Sequence, residues 1–263
     1  MRYCPLFSGS RGNCTYISDN AGAILVDLGV SARRAEQALR TRDIDPQNIS
    51  AIVITHEHSD HIAGVRLFAR KFGCTVIASP GTLNALRRHT DWDGISMTSV
   101  LPGSAPQEIA GLELSLFHTP HDSAESAGVC VQTSDGRRMA VATDMGTITP
   151  EIHAALLGCD LVHLESNHDV DMLAHGPYAA HLKRRILGDH GHLSNVACAE
   201  ELIQLIQGGT SRVVLAHLSQ ENNTPTLAYE TVRGILNRAG LRDGQAYMLT
   251  VAMQEDNHPV LML

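Results

Sequence analysis

His56-Glu57-His58-Ser59-Asp60-His61 brings three imidazoles and a carboxylate together at the spacing His-x-His-x-Asp-His, a density that metal sites need and apolar cores do not. The run Ala51-Ile52-Val53-Ile54 before it reads as a short buried strand. The cluster therefore falls where a strand ends and a helix begins, the edge at which α/β folds keep their chemistry. On the tight turn after that strand, His56 and His58 can aim at one point while Asp60 and His61 reach a second. This predicts two metal ions. The competing reading is a polar loop beside a helix N-terminus, with Asp60 as its cap, and the density of the motif favours metal.

The surrounding chain is that of an ordinary soluble globular protein: 263 residues, 43% hydrophobic and 18% charged, enough for a continuous apolar core. No run has the length of a membrane span, and Met1-Arg2-Tyr3-Cys4-Pro5-Leu6-Phe7 turns into a Ser/Gly loop before a signal-peptide core could form. A cytoplasmic protein with no membrane partner is expected. Cys4, Cys14, Cys74, Cys130, Cys159 and Cys198 are scattered in apolar contexts with no Cys-x-x-Cys pair, which predicts buried free thiols. A formal net charge of −8 excludes a protein that grips a polyanion through its whole surface, so any nucleic-acid contact is local. The 15 histidines exceed what a core requires, so several are ligands or neighbours of ligands.

Strands are predicted at Tyr3 to Phe7, Cys14 to Ser18, Ala23 to Asp27, Ala51 to Thr55 and Thr75 to Ala78, and four or five more lie between Met97 and Ala142. Leu161 to Glu165 and Val213 to Ala216 follow. Helices are predicted after the Ser31 cap, from about Ile62 to Phe72, from Ser79-Pro80, from Ser194 to Gln207, and from Pro225 to Ala239 behind the cap Thr224. Val196, Ala199, Ile203 and Ile206 keep helical spacing, as do Ala228, Val232, Ile235 and Ala239, so each helix buries one face. Strands in the middle and helices toward both flanks suggest two sheets packed face to face and covered by helices. With no linker, low-complexity run or repeat to divide it, the chain is expected to form a single domain over residues 1–263.

Three more metal-binding residue types stand at the carboxyl ends of predicted strands. His121 follows Phe117-His118-Thr119, Asp144 follows Met139-Ala140-Val141-Ala142-Thr143, and His217 follows Val213-Val214-Leu215-Ala216. Singly, each could be a loop residue satisfied by backbone hydrogen bonds. The recurrence of one context favours ligands.

This pattern, from Asp27 through His-x-His-x-Asp-His, His121, Asp144 and His217, resembles the metallo-β-lactamase superfamily over nearly the whole chain. The resemblance implies an α/β fold, the four-layer αββα metallo-β-lactamase sandwich. It also implies that His56, His58 and His121 hold one metal, that Asp60, His61 and His217 hold the second, and that Asp144 bridges them. A bridging carboxylate points to phosphoester chemistry, because hydrolases of this fold that work on β-lactams usually have a softer or non-bridging ligand there. It hardens the site, so the two divalent ions are Zn²⁺ or Mn²⁺. Such a pair, about 3.5 to 4 Å apart, holds a hydroxide at neutral pH and clamps a phosphate for in-line attack.

Ser8-Gly9-Ser10-Arg11-Gly12-Asn13, Glu165-Ser166-Asn167-His168-Asp169 with Met172-Leu173, Gly191-His192-Leu193-Ser194-Asn195 and His217-Leu218-Ser219-Gln220-Glu221-Asn222-Asn223 resemble, more specifically, the YycJ/WalJ-like branch of bacteria. Arg11 and Cys14 depart from a loop that usually carries serines. The branch implies a 5′ to 3′ exonuclease on double-stranded DNA linked to mismatch repair, hence DNA as substrate and a mismatch-repair protein as partner. Asn13 is then a candidate substrate contact, and Asp60 a catalytic residue as well as a ligand. His192 stands where related tRNA 3′-processing nucleases keep a histidine near the metals, which assigns it transition-state stabilisation or protonation of the leaving group. A histidine packing before the Ser194 cap is its structural alternative. Asp27 is expected to fix the metal-binding turn, and His168 either lines the cleft or is a structural histidine.

His181-Leu182-Lys183-Arg184-Arg185 is the basic stretch expected to follow a DNA backbone, through Lys183, Arg184 and Arg185. Arg66, Arg70, Lys71, Arg87 and Arg88 read first as solvated helix faces. A phosphodiesterase for small-molecule or cyclic phosphates is the first rival reading, and a non-catalytic metal or nucleic-acid binding module is a rival from another class. The intact ligand set argues against the module. The chain between His61 and His121 holds no Gly/Pro-rich arm of a tRNA-processing nuclease, and that between Asp144 and His217 is too short for the inserted domain of the β-CASP nucleases.

Overall fold

The apolar run Ala23-Ile24-Leu25-Val26 and the mostly apolar Leu161-Val162-His163-Leu164 are buried at every position, as strands covered on both faces must be. The computed structural model describes residues 1–89, 91–255 and 258–263. In chain order these form β1 (Arg2–Phe7), β2 (Cys14–Ser18), β3 (Ala23–Val26), α1 (Ala32–Arg40), β4 (Ile49–Val53), α2 (Ser59–Ile62), α3 (Val65–Phe72), β5 (Thr75–Ala78) and α4 (Pro80–His89). Next come β6 (Met97–Ser99), β7 (Gln107–Ile109), β8 (Leu112–His118), β9 (Ala127–Gln132), β10 (Arg138–Ala142), α5 (Pro150–Leu156), β11 (Leu161–Glu165), α6 (Val170–His175) and α7 (Ala180–Leu187). The chain ends with α8 (Asn195–Gln207), β12 (Arg212–Ala216), α9 (Pro225–Arg238), β13 (Met248–Val251) and β14 (Leu261–Met262). The strands make two seven-stranded sheets. Residue contacts divide the chain into two units.

The first unit comprises Met1–His118, Ser123–Arg137 and Met253–Leu263. Its sheet runs in the order β14-β1-β2-β3-β4-β5-β6. It is antiparallel through β3 (Tyr16↔Leu25) and parallel beyond it (Val26↔Val53, Val53↔Ile77). That change of direction puts the carboxyl ends of β3, β4 and β5 on one edge. Ala35 and Leu39 of α1 and Val65 and Phe68 of α3 join Leu25, Ile52 and Val76 in the core. Strands β7, β8 and β9 of this unit are antiparallel, with Leu114 opposite Val131.

The second unit comprises Thr119–Asp122 and Arg138–Ala252. Strands β10 to β13 are parallel, with Ala142↔Leu164, Leu164↔Leu215 and Leu215↔Val251 in register, so the ends leading to Asp144, Glu165 and His217 share one edge. Helix α8 packs on α9. Ser194 and Thr224 cap them through hydroxyls that accept from Ala197 N and Leu227 N.

Several expectations need correction. The helix expected from about Ile62 to Phe72 is two helices, α2 and α3, because the chain at Gly64 approaches β3's continuation too closely: Gly64 N donates to Leu28 O, and a Cβ there would lie 2.1 Å from Leu28. Helix α8 buries Asn195, Cys198, Ala199, Leu202, Leu205 and Ile206, whereas Val196 is 41% exposed. Cys198, Leu202, Leu205 and Ile206 form the apolar stripe that is buried, and Asn195 shares that side, its amide bonded to Ser166 and Asn223. In α9 the buried positions are Ala228, Val232 and Leu236, and Ala239 is exposed. All six cysteines are buried and none is in a disulfide. Among the described residues no helix is long and apolar enough to cross a membrane.

Candidate metal centre

In the first unit the motif is held by Asp27, one residue beyond β3. Its backbone N donates to Val53 O (2.8 Å), and its φ of 58° lies in the left-handed region that Asp tolerates better than most residues. The buried carboxylate accepts from Thr55 N (2.9 Å), Thr55 Oγ1 (2.9 Å) and His61 Nδ1 (2.8 Å). Because a carboxylate only accepts, His61 carries its proton on Nδ1 and presents a lone pair at Nε2. The same reasoning fixes His56. Thr55 gives its hydroxyl proton to Asp27, so His56 Nδ1, 3.1 Å from Thr55 Oγ1, is the donor there and its Nε2 is basic.

The rings of His56 and His58 lie 4.6 Å apart, and those of His56 and His61 lie 4.1 Å apart. Neutral imidazole is the form that binds metal. Asp60 Oδ2 is 3.6 Å from His61 Nε2. Asn13 fastens this loop: its backbone N donates to Asp60 O (2.8 Å), its Oδ1 accepts from Gly9 N (2.8 Å), and its Nδ2 lies 3.1 Å from His61 Nε2. Gly29 is required beside it, since a Cβ there would lie 1.5 Å from Asp60 O.

In the second unit the organising group is Glu165, at the end of β11 and fully buried. Its Oε1 accepts from His192 Nδ1 (2.8 Å) and His217 Nδ1 (2.9 Å), and its Oε2 accepts from Met145 N (2.9 Å) and Leu193 N (3.2 Å). Burial opposes a charge on this carboxyl, but the charge of His192 and the hydrogen bonds of His192 and His217 outweigh it and hold it well below the usual carboxylate range. With both oxygens engaged by four donors, Glu165 orients the imidazoles of His192 and His217. Burial likewise opposes the imidazolium of His192, yet Glu165 and Asp144 raise its pKa overall.

His121 Nδ1 donates to Gly191 O (3.2 Å), and its Nε2 is 3.8 Å from Asp144 Oδ1. Burial, the largest influence, lowers its pKa and keeps it neutral. Asp144 and His217 adopt φ of 59° and 53°, so each side chain leaves its strand end through a left-handed residue. Asn167 Nδ2 holds the turn by donating to His217 O (2.8 Å). His56, His61, His121 and His217 thus all have Nδ1 bonded to a fixed oxygen, the arrangement that metal-binding histidines need. The residues fit divalent metal.

His168 is 2% exposed, neither ring nitrogen has a hydrogen-bond partner among the described residues, and burial pushes its pKa down to about 4 despite nearby Glu165. Its neutral ring lies within electrostatic reach of Glu165 and His192. The basic stretch lies on α7. Lys183 Nζ donates to Ala174 O, Arg184 Nε donates to Ala180 O, and Arg185 grips Asp122 through Nε (2.6 Å) and Nη2 (2.9 Å). Of the lesser basic candidates, Lys71 pairs with Glu36 (2.6 Å) and Arg70 donates to Asp93 O.

Sequence reasoning assigned no role to Glu165, Thr55 or the Asp122–Arg185 pair. A glutamate closing a buried, mostly apolar strand was the available signal for Glu165.

The family model described as Metallo-beta-lactamase superfamily matches residues 8–217. Exodeoxyribonuclease YycJ of Bacillus anthracis is 32% identical over 247 residues, covering 94% of this chain and 93% of that protein. Exodeoxyribonuclease WalJ of Streptococcus pneumoniae serotype 2 is 34% identical over 246 residues, 93% of this chain and 91% of that protein. Among solved structures, Zn²⁺-bound PqqB from Methylobacterium extorquens superposes with a TM-score of 0.72 at 18% identity, covering 100% of both chains. That likeness bears on the fold alone, which is the four-layer αββα sandwich expected from the sequence.

Proposed function

The chain belongs to the metallo-β-lactamase superfamily and is a hydrolase of that superfamily, and from this premise we propose that it is a dinuclear metal-dependent phosphodiesterase, a 5′ to 3′ exonuclease on double-stranded DNA of the mismatch-repair type. The observation that carries the proposal is the 32 to 34% identity, over nearly the full length, to two relatives named exodeoxyribonucleases. In this reading the two units act as one domain, in the cytoplasm, with DNA as substrate and a mismatch-repair protein as partner. His56, His58 and His121 would hold one ion and Asp60, His61 and His217 the other, with Asp144 as the carboxylate shared between them. The Nδ1 hydrogen bonds of His56, His61, His121 and His217 support that assignment, because each leaves Nε2 as the ligand atom. Zn²⁺ or Mn²⁺, when bound, supplies a nucleophile at neutral pH and neutralises charge on the phosphate.

The protein's own groups do the rest. Asp27 and Thr55 fix His56 and His61, and Glu165 fixes His217 and His192. His192, anchored through Nδ1, uses Nε2 to give a proton to the oxygen that departs as the P–O bond breaks. His168 forms part of the cleft wall, and Asn13 steadies the Asp60 loop beside the scissile phosphate. Lys183, Arg184 and Arg185 contact the DNA backbone. Arg184 is the member best placed to do so, since Arg185 already serves Asp122.

Duplex DNA labelled separately at its 5′ and 3′ ends, incubated with protein and Mn²⁺ or Zn²⁺, tests this reading. Early release of the 5′ label as a mononucleotide is expected. Intact duplex alongside hydrolysis of cyclic or small phosphodiesters would replace the nuclease reading with the small-substrate one.

A further inference from the structure

Within the first unit, α2, α3 and α4 enclose a recess of about 400 Å³ lined by Glu57, Ser59, Ile62, Ala63, Arg66, Leu67, Leu86 and Trp92. Glu57 and Ser59 flank His58, so the recess begins one Cα step, about 3.8 Å, from a proposed ligand. Its wall is apolar: Ile62, Leu86 and Trp92, with Leu67 57% exposed at the lip. Trp92 is held in place by donation from Nε1 to Leu86 O (3.0 Å).

Glu57 supplies the polar feature. Its Oε1 accepts from Ala124 N (2.8 Å), which fixes the carboxylate, while Oε2 is buried with no hydrogen-bond partner among the described residues. A buried acceptor left in this state is costly, and a carboxylate oxygen is satisfied only by a donor. An aromatic and aliphatic slot with one waiting acceptor and a guanidinium, Arg66, on the same wall matches a nucleotide: a flat base with N–H groups, carrying a phosphate.

We propose that this recess is a nucleobase subsite that takes one unstacked base, guanine by preference. The guanine edge offers an imino and an amino N–H, whereas the single N–H of thymine is flanked by two carbonyls that a carboxylate repels. The inference rests on the nuclease reading, in which a duplex end must be unpaired before its phosphodiester reaches the metals. A subsite for the freed base offsets the lost stacking.

Trp92 is the sole tryptophan of the chain, so its fluorescence reports on the recess. Titration of the full protein with deoxyguanosine and with dGMP should give a saturable change in emission, with dTMP about tenfold weaker and inorganic phosphate without effect. Glu57→Gln keeps the bond to Ala124 and removes the waiting acceptor, so it should weaken dGMP about tenfold. Leu67→Ser, at the exposed lip, should weaken all bases a few-fold, with thermal melts unchanged in both variants. The proposal is overturned by unchanged emission with every nucleoside, by an equal response to phosphate alone, by unaltered dGMP binding in Glu57→Gln, or by an emission change that follows only protein concentration. Digestion of labelled duplex by the same preparation separates the two readings. Digestion without a Trp92 response removes the subsite alone, and a Trp92 response without digestion removes the nuclease reading and leaves a nucleotide site.

Discussion

Glu165→Gln is the most informative single change, because it exchanges one acceptor for a donor without altering shape. Glu165 accepts four hydrogen bonds, two from imidazoles through Oε1 and two from the backbone at Met145 and Leu193 through Oε2. The backbone donors cannot be reversed, so the glutamine oxygen must face them and its NH₂ must face His192 and His217. Both imidazoles then have to accept at Nδ1 and carry their proton on Nε2, which removes the lone pair of His217 proposed as a ligand. Hydrogen bonds to a charged group are worth about 1.5 to 3 kcal/mol each, and losing an orienting partner of a metal-binding histidine costs about 10- to 100-fold in affinity. Chelator competition should therefore show one of two ions weakened by about that factor. ¹⁵N spectra of the imidazoles should show the tautomer reversed at His217 and His192, and hydrolysis should fall by roughly 10² or more. Metal affinity within twofold of the parent, with unchanged tautomers, would refute this assignment of Glu165.

His192→Ala should keep the metal stoichiometry and lose roughly 10² to 10⁴ in rate on DNA. The loss should shrink for bis(p-nitrophenyl) phosphate, whose leaving group needs no proton, and an equal loss on both substrates would assign His192 to charge stabilisation or positioning. Asp144→Ala should disturb both ions in elemental analysis, whereas full occupancy by two metals would remove Asp144 from the bridge. Neutralising Lys183, Arg184 and Arg185 together should raise KM for duplex DNA and spare a small phosphodiester, with a shallow salt slope for the parent. Undiminished DNA degradation would return α7 to the solvent-facing class.

The motif and the three strand-end residues were legible because their chemistry repeats a position: His56, Asp144 and His217 all follow buried strands, and nothing long-range is needed to see it. What the sequence hid is set by partners distant along the chain. The break between α2 and α3 depends on how closely Gly64 meets Leu28, a contact between segments that local helical spacing does not encode. Helix α8 carries apolar residues on two overlapping stripes, and only packing decides that Cys198, Leu202, Leu205 and Ile206 are buried while Val196 is exposed. Glu165 stood in a quoted stretch, yet its role needs two histidines 27 and 52 residues away. Asn13, expected as a substrate contact, also bonds the Asp60 loop and lies 3.1 Å from His61 Nε2, a support that only the fold reveals.

The left-handed backbone at Asp27, Asp144 and His217 has a consequence for how this sequence can drift. Each position holds a conformation that costs a non-glycine residue about 1 to 3 kcal/mol, and glycine would relieve it at once. At Asp27 the three hydrogen bonds that its carboxylate accepts outweigh this relief, and at His217 the bond to Glu165 offsets part of it. In the proposed reading, a lineage that keeps the fold and abandons the reaction should therefore lose Asp144 to glycine first and keep Asp27 longest.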